Sequence, residues 1–125
     1  MAFNSFEDMP VWQKGMDLAQ KVYEITESLP RKEDYGLTSQ IRRSALSVTG
    51  NLAEGFGRKH TKDKVNFYYA SRGSLAETKN HLIYGEKVGY FNELDSQELK
   101  VLTEDVMKEL NALISTLQRR IRAKP

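Results

Sequence analysis

The sequence contains no cysteine, and no apolar run in it approaches the length of a membrane-spanning helix. Without cysteine the chain can form no disulfide framework and carry out no thiol chemistry. A helix that crosses a bilayer needs about 20 apolar residues. The N-terminal stretch holds Glu7 and Asp8 and has no basic start, so it does not resemble a signal peptide. We therefore expect a soluble, cytoplasmic protein with no membrane partner.

The chain also lacks an excess of charge of either sign. Its 19 Lys and Arg residues nearly balance 17 Asp and Glu residues, for a net charge of +2, so the overall charge identifies no partner. A chain of 125 residues corresponds to one domain, and a domain of that size buries roughly two-thirds of its unfolded surface. We expect a single domain over residues 1–125.

Hydrophobic periodicity predicts four helices and no strand. Apolar residues recur at steps of three and four in four segments, and the last of them, from Leu99 to Ile121, is the most regular. Short connectors at 30–36, 57–61 and 89–95 favour antiparallel neighbours. The expected fold is all-α, an antiparallel up-down four-helix bundle.

Several residues mark the ends of these helices. Pro30 stops the first one, and Gly89 is a candidate end for the third. Thr61 is a candidate N-cap of the third helix. Asp95 with Glu98 resembles a capping box before the fourth.

Two helices carry more apolar or small residues than one core stripe requires. A solvated helix back is normally charged, whereas small side chains there permit another helix to approach closely. A somewhat apolar surface without any partner is the alternative. We interpret the surplus as a homo-oligomer interface, formed by Trp12, Met16, Ala19 and Tyr23 of the first helix and by Leu46, Gly50 and Ala53 of the second.

The stretch NLAEGFGRK at 51–59 combines two glycines with two cations. A phosphate-binding loop needs a strand before it and a helix after it, but here a helix precedes it and the GxxxxGK pattern is absent. Gly57 is better explained as a C-terminal stop that can take a positive φ. Gly55 falls at the edge of the core stripe, where a missing side chain allows a close helix contact.

Two clusters of cations remain that could bind phosphates. The first holds four cations against the single acid Asp63 and leads into the N-terminus of the third helix, whose free amides attract anions. The second lies at the C-terminus and contains no acid. Charge complementarity at helix ends is an equally acceptable explanation. The predicted nucleic-acid-binding residues are Arg58, Lys59, Lys62 and Lys64, with Arg119, Arg120 and Arg122.

No catalytic or metal site is indicated. Glu77 and His81 stand four residues apart and could bracket a metal, but no third ligand is apparent, and the chain has only one other histidine, His60. A metal-binding bundle supplies facing acids from several helices. We expect a protein that is not an enzyme and that uses no cofactor.

Four charged residues predict a structural ion network. Arg43 and Glu54 lie eleven residues apart, or about 16 Å along a helix, which is too far for them to pair with each other. Arg72 and Glu77 of the third helix are their candidate partners. Such a network is more plausible as a device for packing specificity than as an active site.

Four stretches closely resemble the bacterial four-helix bundle protein family. They are FEDMPVWQKGMDLAQKVYEITESLP (6–30), YGLTSQIRRSALSVTGNLAEGFGR (35–58), FYYASRGSLAET (67–78) and VGYF (88–91). That family includes proteins encoded within intervening sequences of large-subunit ribosomal RNA genes, and the related accessory variability determinants of diversity-generating retroelements. The family usually has Pro-Ala where this chain has Thr49-Gly50, which puts the curvature of the second helix in question.

The resemblance implies a barrel-shaped homopentamer that binds nucleic acid through basic surface and associates with a reverse transcriptase. It carries over no catalytic residue. We therefore expect a non-enzymatic, self-associating bundle that offers basic surface to RNA or DNA. A structural or protein-binding module is the second hypothesis, and a metal-dependent enzyme is the third. If the two cation clusters lie close together in space, the nucleic-acid-binding hypothesis is favoured. If they lie far apart, the structural or protein-binding module is favoured.

Overall fold

The computed structural model describes residues 3–124 and contains four long helices. We number them α1 (Pro10–Thr26), α2 (Leu37–Phe56), α3 (Thr61–Lys87) and α4 (Glu93–Ala123). Two single-turn 3₁₀ helices, Phe6–Asp8 and Arg31–Glu33, precede α1 and α2. No strand occurs between residues 3 and 124, so the all-α prediction is confirmed.

The four helices form a closed square in which α1 and α3 each pack against both α2 and α4. Cross-helix contacts fix an antiparallel register. The buried Ser71 hydroxyl donates to the Val48 carbonyl at 2.7 Å, and about two α3 turns further on Thr78 donates to Ser44 at 2.9 Å. The antiparallel four-helix bundle expected from the sequence is confirmed.

Each helix contributes one stripe to a single core. The apolar positions are filled mainly by leucine, isoleucine and valine, and burial of such side chains is the main driving force of folding. Burial also raises the pKa of the Tyr68 phenol to about 12. Fully buried members include Leu18, Val22, Ile41, Val48, Leu52, Leu75, Leu82, Val106 and Leu110.

Two helix N-caps differ from the sequence prediction. The N-cap of α4 is Asn92, whose side chain accepts a hydrogen bond from the Asp95 amide at 2.8 Å. Asp95 therefore lies inside the first turn and is not the cap. Likewise the N-cap position of α3 is held by the extended residue His60 and not by Thr61. Asparagine is among the best N-cap residues, and an apolar pattern alone places a helix start only to within a few residues.

The glycines in and just after α2 and α3 differ in backbone conformation and in the atoms around them. Gly89 has φ +85 just beyond α3, which confirms it as the stop. Gly57 has φ −75, so the prediction of a positive φ there is wrong; its amide still bonds the Ala53 carbonyl in helical fashion. At Gly55 an added Cβ would lie 2.7 Å from the Tyr68 ring, which confirms a close contact of α2 with α3. The helix runs unbroken through Thr49 and Gly50.

Among the described residues, none of the helices has the combination of length and apolar character that a membrane crossing requires.

Candidate nucleic-acid interface

The two predicted cation clusters meet at one end of the bundle. Because α3 and α4 run antiparallel, the start of α3 lies beside the end of α4. One hollow of about 560 Å³ is lined by Lys62 and Asp63 on one side and by Ile121 and Lys124 on the other. An adjoining hollow joins Lys62 to Arg122. We call this surface, centred on Lys62, Ile121, Arg122 and Lys124, the basic groove.

Five cations of this end are exposed and unpaired. Their side chains form no hydrogen bond or ion pair with any residue from 3 to 124. An exposed cation without an acidic partner keeps its charge available for an external anion. These residues are Lys59, Lys62, Arg120, Arg122 and Lys124.

Lys64, a predicted phosphate-binding residue, has a structural role at the end of α2. Its ammonium group donates to the Phe56 carbonyl at 2.7 Å and to the Gly55 carbonyl at 3.3 Å. Burial also lowers the pKa of Lys64. Carbonyls at a helix C-terminus have no partner within the helix, so the side chain satisfies them and closes the end of α2. Its binding of nucleic acid stays a prediction, and a phosphate would have to compete with these two carbonyls.

Two predicted arginines are partly engaged. Arg58 pairs with Glu54 at 3.0 Å, and its guanidinium lies 4.6 Å from the centre of the Phe67 ring. Arg119 donates to the Thr116 hydroxyl at 3.3 Å. Both remain exposed, and exposed pairs of this kind contribute at most about 1 kcal/mol, so a phosphate can compete for either side chain.

The N-terminus of α3 faces the basic groove. His60, its N-cap, makes no side-chain capping hydrogen bond with residues 3–124, so the first amides of the helix carry partial positive charge without a capping oxygen. His60 and Thr61 line the same hollow as Lys62. The amide dipoles and the cations therefore place positive charge on one surface. Asp63 places a negative charge on the same surface.

The predicted ion network is not formed as one unit. Arg43 pairs with Glu77 at 3.0 Å, as expected, but Glu54 pairs with Arg58, and Arg72 donates to Asn111 at 3.0 Å. Alternative partners one helical turn away or on α4 are closer than the predicted ones. The surviving Arg43–Glu77 pair is exposed, and such pairs contribute little to stability.

The two predicted oligomer surfaces differ in how much the bundle itself covers them. On α2, Leu46 is 60% exposed, and a Cβ added at Gly50 would meet no described atom within 4 Å. On α1, by contrast, Trp12 packs against Phe6 with ring centres 5.3 Å apart. Trp12, Met16, Ala19 and Ala53 are half-buried, whereas Tyr23, Leu46 and Gly50 are exposed.

The α3–α4 surface beyond the basic groove holds a feature that sequence reasoning missed. Tyr69 accepts a hydrogen bond from the Gln118 amide, and Arg72 lies 4.8 Å from the centre of the Tyr69 ring while it donates to Asn111. Arg72 and Asn111 are 39 positions apart in sequence, and Tyr69 and Gln118 are 49 positions apart. No motif marks such a pairing, because it depends on the register between the two helices.

No group of three or more acidic or histidine side chains that could hold a metal occurs within residues 3–124. His81 lies 3.2 Å from the Glu77 carboxylate, because residues four apart on a helix are neighbours on one face. Glu77 is shared with Arg43, so it serves as an ordinary surface ion-pair partner.

The model of the 23S rRNA-intervening sequence protein family matches residues 7–112. The chain belongs to that family. A search of curated proteins found no match. Among solved structures, the chain is similar to a protein of unknown function from the S23 ribosomal protein family of Bacteroides thetaiotaomicron VPI-5482. The TM-score is 0.75 at 19% sequence identity, over 83% of this chain and 97% of that chain, and a likeness at this identity shows the shared fold.

Proposed function

We propose that this 23S rRNA-intervening sequence family protein is a non-enzymatic, self-associating protein that binds RNA or DNA through its basic groove. The observation that carries the proposal is the meeting of Lys62, Arg122 and Lys124 around the uncapped start of α3. Binding of phosphates by such a surface releases counterions, which supplies a favourable, sequence-independent free energy.

The contacts on offer are to phosphates and not to base edges. Lysine and arginine side chains on a surface groove neutralise the backbone, whereas sequence is read by hydrogen bonds to bases. We therefore expect weak sequence selectivity. RNA is the first candidate ligand because the family's name connects its members with ribosomal RNA intervening sequences. Association with a reverse transcriptase, and a place in the cytoplasm, are further parts of the proposal that rest on the resemblance and the composition.

Self-association would multiply these contacts. One subunit offers few unpaired cations, but a ring repeats them within one complex and so raises the effective concentration of each additional contact. A closed ring requires two different surfaces that meet across every interface. We propose that the exposed α2 surface at Leu46 and Gly50 meets the α1 surface that ends at Tyr23, and that the ring is a pentamer.

The proposal is tested with two charge-matched triple variants. In the first, Lys62, Arg122 and Lys124 are replaced by Gln, which removes three positive charges from the basic groove. In the control, Arg31, Lys32 and Lys87 are replaced by Gln, which removes three from the opposite end of the bundle. Fluorescence anisotropy with a labelled RNA should show about a tenfold or larger loss of affinity for the first variant only. An equal loss of RNA affinity in both variants would show that binding depends on the overall charge of the protein and not on the basic groove.

A further inference from the structure

A third hollow continues the line of the basic groove along the same pair of helices. It has a volume of about 340 Å³, and Ala76 and Lys79 of α3 face Met107 and Lys108 of α4 across it. We call it the middle cleft. From Lys62 to Lys79 the line extends about 25 Å along α3, a length in the range of a single-stranded site of about four nucleotides.

Tyr69 and Arg72 lie between the basic groove and the middle cleft. The hydrogen bond from Gln118 anchors the phenol oxygen, and the Arg72 guanidinium lies 4.8 Å from the ring centre. Tyr69 is nevertheless 36% exposed. An aromatic ring that is held in place and partly open to solvent is a stacking surface for a base, and an adjacent arginine strengthens such stacking.

The charges along this line favour a polyanion. Cations follow one another at Lys62, Arg72, Lys79 and Lys108 on the two helices. Lys79 is paired with Glu104, the acid of the middle cleft, at 3.5 Å, so these two charges offset each other. Lys62, Arg72 and Lys108 then supply the positive charge, against the single acid Asp63. The amides of Asn66, Asn111 and Gln118 add hydrogen-bonding groups beside the cations.

We propose that the basic groove and the middle cleft together hold a single strand of nucleic acid, with Tyr69 stacked on one unpaired base. The inference rests on the proposed function and adds the form of the ligand. In a duplex the base faces are already stacked on each other, so Tyr69 can reach only a base that is unpaired. A strand threaded along α3 and α4 would place its phosphates beside the row of cations.

The test compares a labelled single-stranded RNA ten-mer with a duplex of the same sequence. Tyr69→Leu removes the aromatic ring, Tyr69→Trp keeps a stacking surface, and Tyr84→Leu is the control, because Tyr84 is an exposed tyrosine of the same helix. Circular dichroism confirms that each variant is folded. We expect Tyr69→Leu to weaken single-strand binding about tenfold and duplex binding less than twofold. Tyr69→Trp should restore the single-strand affinity, and Tyr84→Leu should match the wild type.

Four outcomes overturn the inference. Equal weakening of single-strand and duplex binding, or no weakening, excludes a stacking role for Tyr69 but leaves nucleic-acid binding by the basic groove intact. A change in oligomeric mass caused by Tyr69→Leu assigns the surface to a subunit interface. Absence of binding by the wild-type protein to either RNA removes the proposed function together with the inference.

Discussion

Gly55 and Gly50 lie five residues apart on α2 and have opposite surroundings. At Gly55 an added Cβ would lie 2.7 Å from the Tyr68 ring and 3.0 Å from Phe67 Cβ, so part of the buried helix contact would have to move. At Gly50 the same Cβ would point into space that no residue from 3 to 124 occupies. The two positions therefore form a matched pair for the same substitution.

We predict that Gly55→Ala lowers the free energy of unfolding by about 1–3 kcal/mol, the usual cost of overpacking a well-packed contact. In the dissociated subunit, Gly50→Ala should raise it by up to about 1 kcal/mol, because alanine has the better helix propensity. Urea denaturation followed by circular dichroism measures both. A Gly55→Ala variant as stable as the wild type would contradict the close contact between α2 and α3.

At the scale of single residues, sequence reasoning succeeded where chemistry is local. The position of Gly55 on the edge of a core stripe was enough to predict its contact. The contacts of Lys64 could not be predicted, because its partners, the Gly55 and Phe56 carbonyls, lie nine and eight residues earlier and come within reach only after the 57–60 turn reverses the chain. A cation in a basic cluster has the same appearance in sequence whether it is free or caps a helix.

At the scale of elements, a side-chain link joins the start of α2 to the connector between α3 and α4. The Tyr90 hydroxyl donates to the Glu33 carboxylate at 2.8 Å, and the other carboxylate oxygen accepts from the Leu37 amide at 3.2 Å. The Tyr90 bond, followed by the Leu37 bond, lowers the pKa of Glu33 below its ordinary value of 4.5. The charged form of Glu33 therefore stabilises the folded state.

The sign of the resulting pH dependence follows by linkage. Because the folded pKa of Glu33 is depressed, its stabilisation is present above pH 4.5 and is lost as the pH falls through the lowered value. We predict that Tyr90→Phe is less stable than the wild type at pH 7 and that the two converge as the pH falls below 4.5 and through the lowered pKa of Glu33. Tyr84→Phe, at an exposed position, is the control. If the free energies of unfolding of the wild type and Tyr90→Phe differ by the same amount at every pH, the Tyr90–Glu33 bond does not stabilise the fold in the way proposed.

Hydrophobic periodicity was enough to predict that the four helices exist. It predicted less well the residues at which they begin and end. The bounds of α2 followed from the apolar stripe between Leu37 and Phe56. The starts of α3 and α4 were misplaced by one and by three residues, because capping depends on local backbone geometry that composition does not encode. The Arg31–Glu33 turn was missed altogether; a single 3₁₀ turn is too short to leave a periodic pattern.

At the scale of the whole molecule, the exposed apolar positions predict self-association. Leu46 is 60% exposed beside Gly50 on α2, and Tyr23 is 54% exposed on α1. We predict that light scattering at tens of micromolar protein gives a mass near five times 14.4 kDa and that Leu46→Glu lowers it, since a charge in an apolar interface is costly. A wild-type mass near 14.4 kDa would refute self-association, whereas a dimer or tetramer would refute only the pentamer.

The meeting of the two cation clusters is a property of the whole fold. Lys62 and Arg122 lie sixty residues apart in sequence, and only the antiparallel register of α3 and α4 brings them to one hollow. The sequence identified which residues are basic and predicted the bundle. It could not say which cations would remain unpaired, because the ion pairs of Arg58 and the capping bonds of Lys64 depend on side-chain geometry.

The most direct test of nucleic-acid binding by the basic groove is the dependence of RNA affinity on salt. The logarithm of Kd for a single-stranded RNA should rise linearly with the logarithm of salt concentration, because each phosphate contact releases about 0.7 counterion. Replacing Lys62, Arg122 and Lys124 by Gln should lower that slope by about two while leaving the helical circular dichroism spectrum unchanged. A wild-type protein that binds no RNA even near about 50 mM salt, or a slope that the triple variant leaves unchanged, would contradict the account.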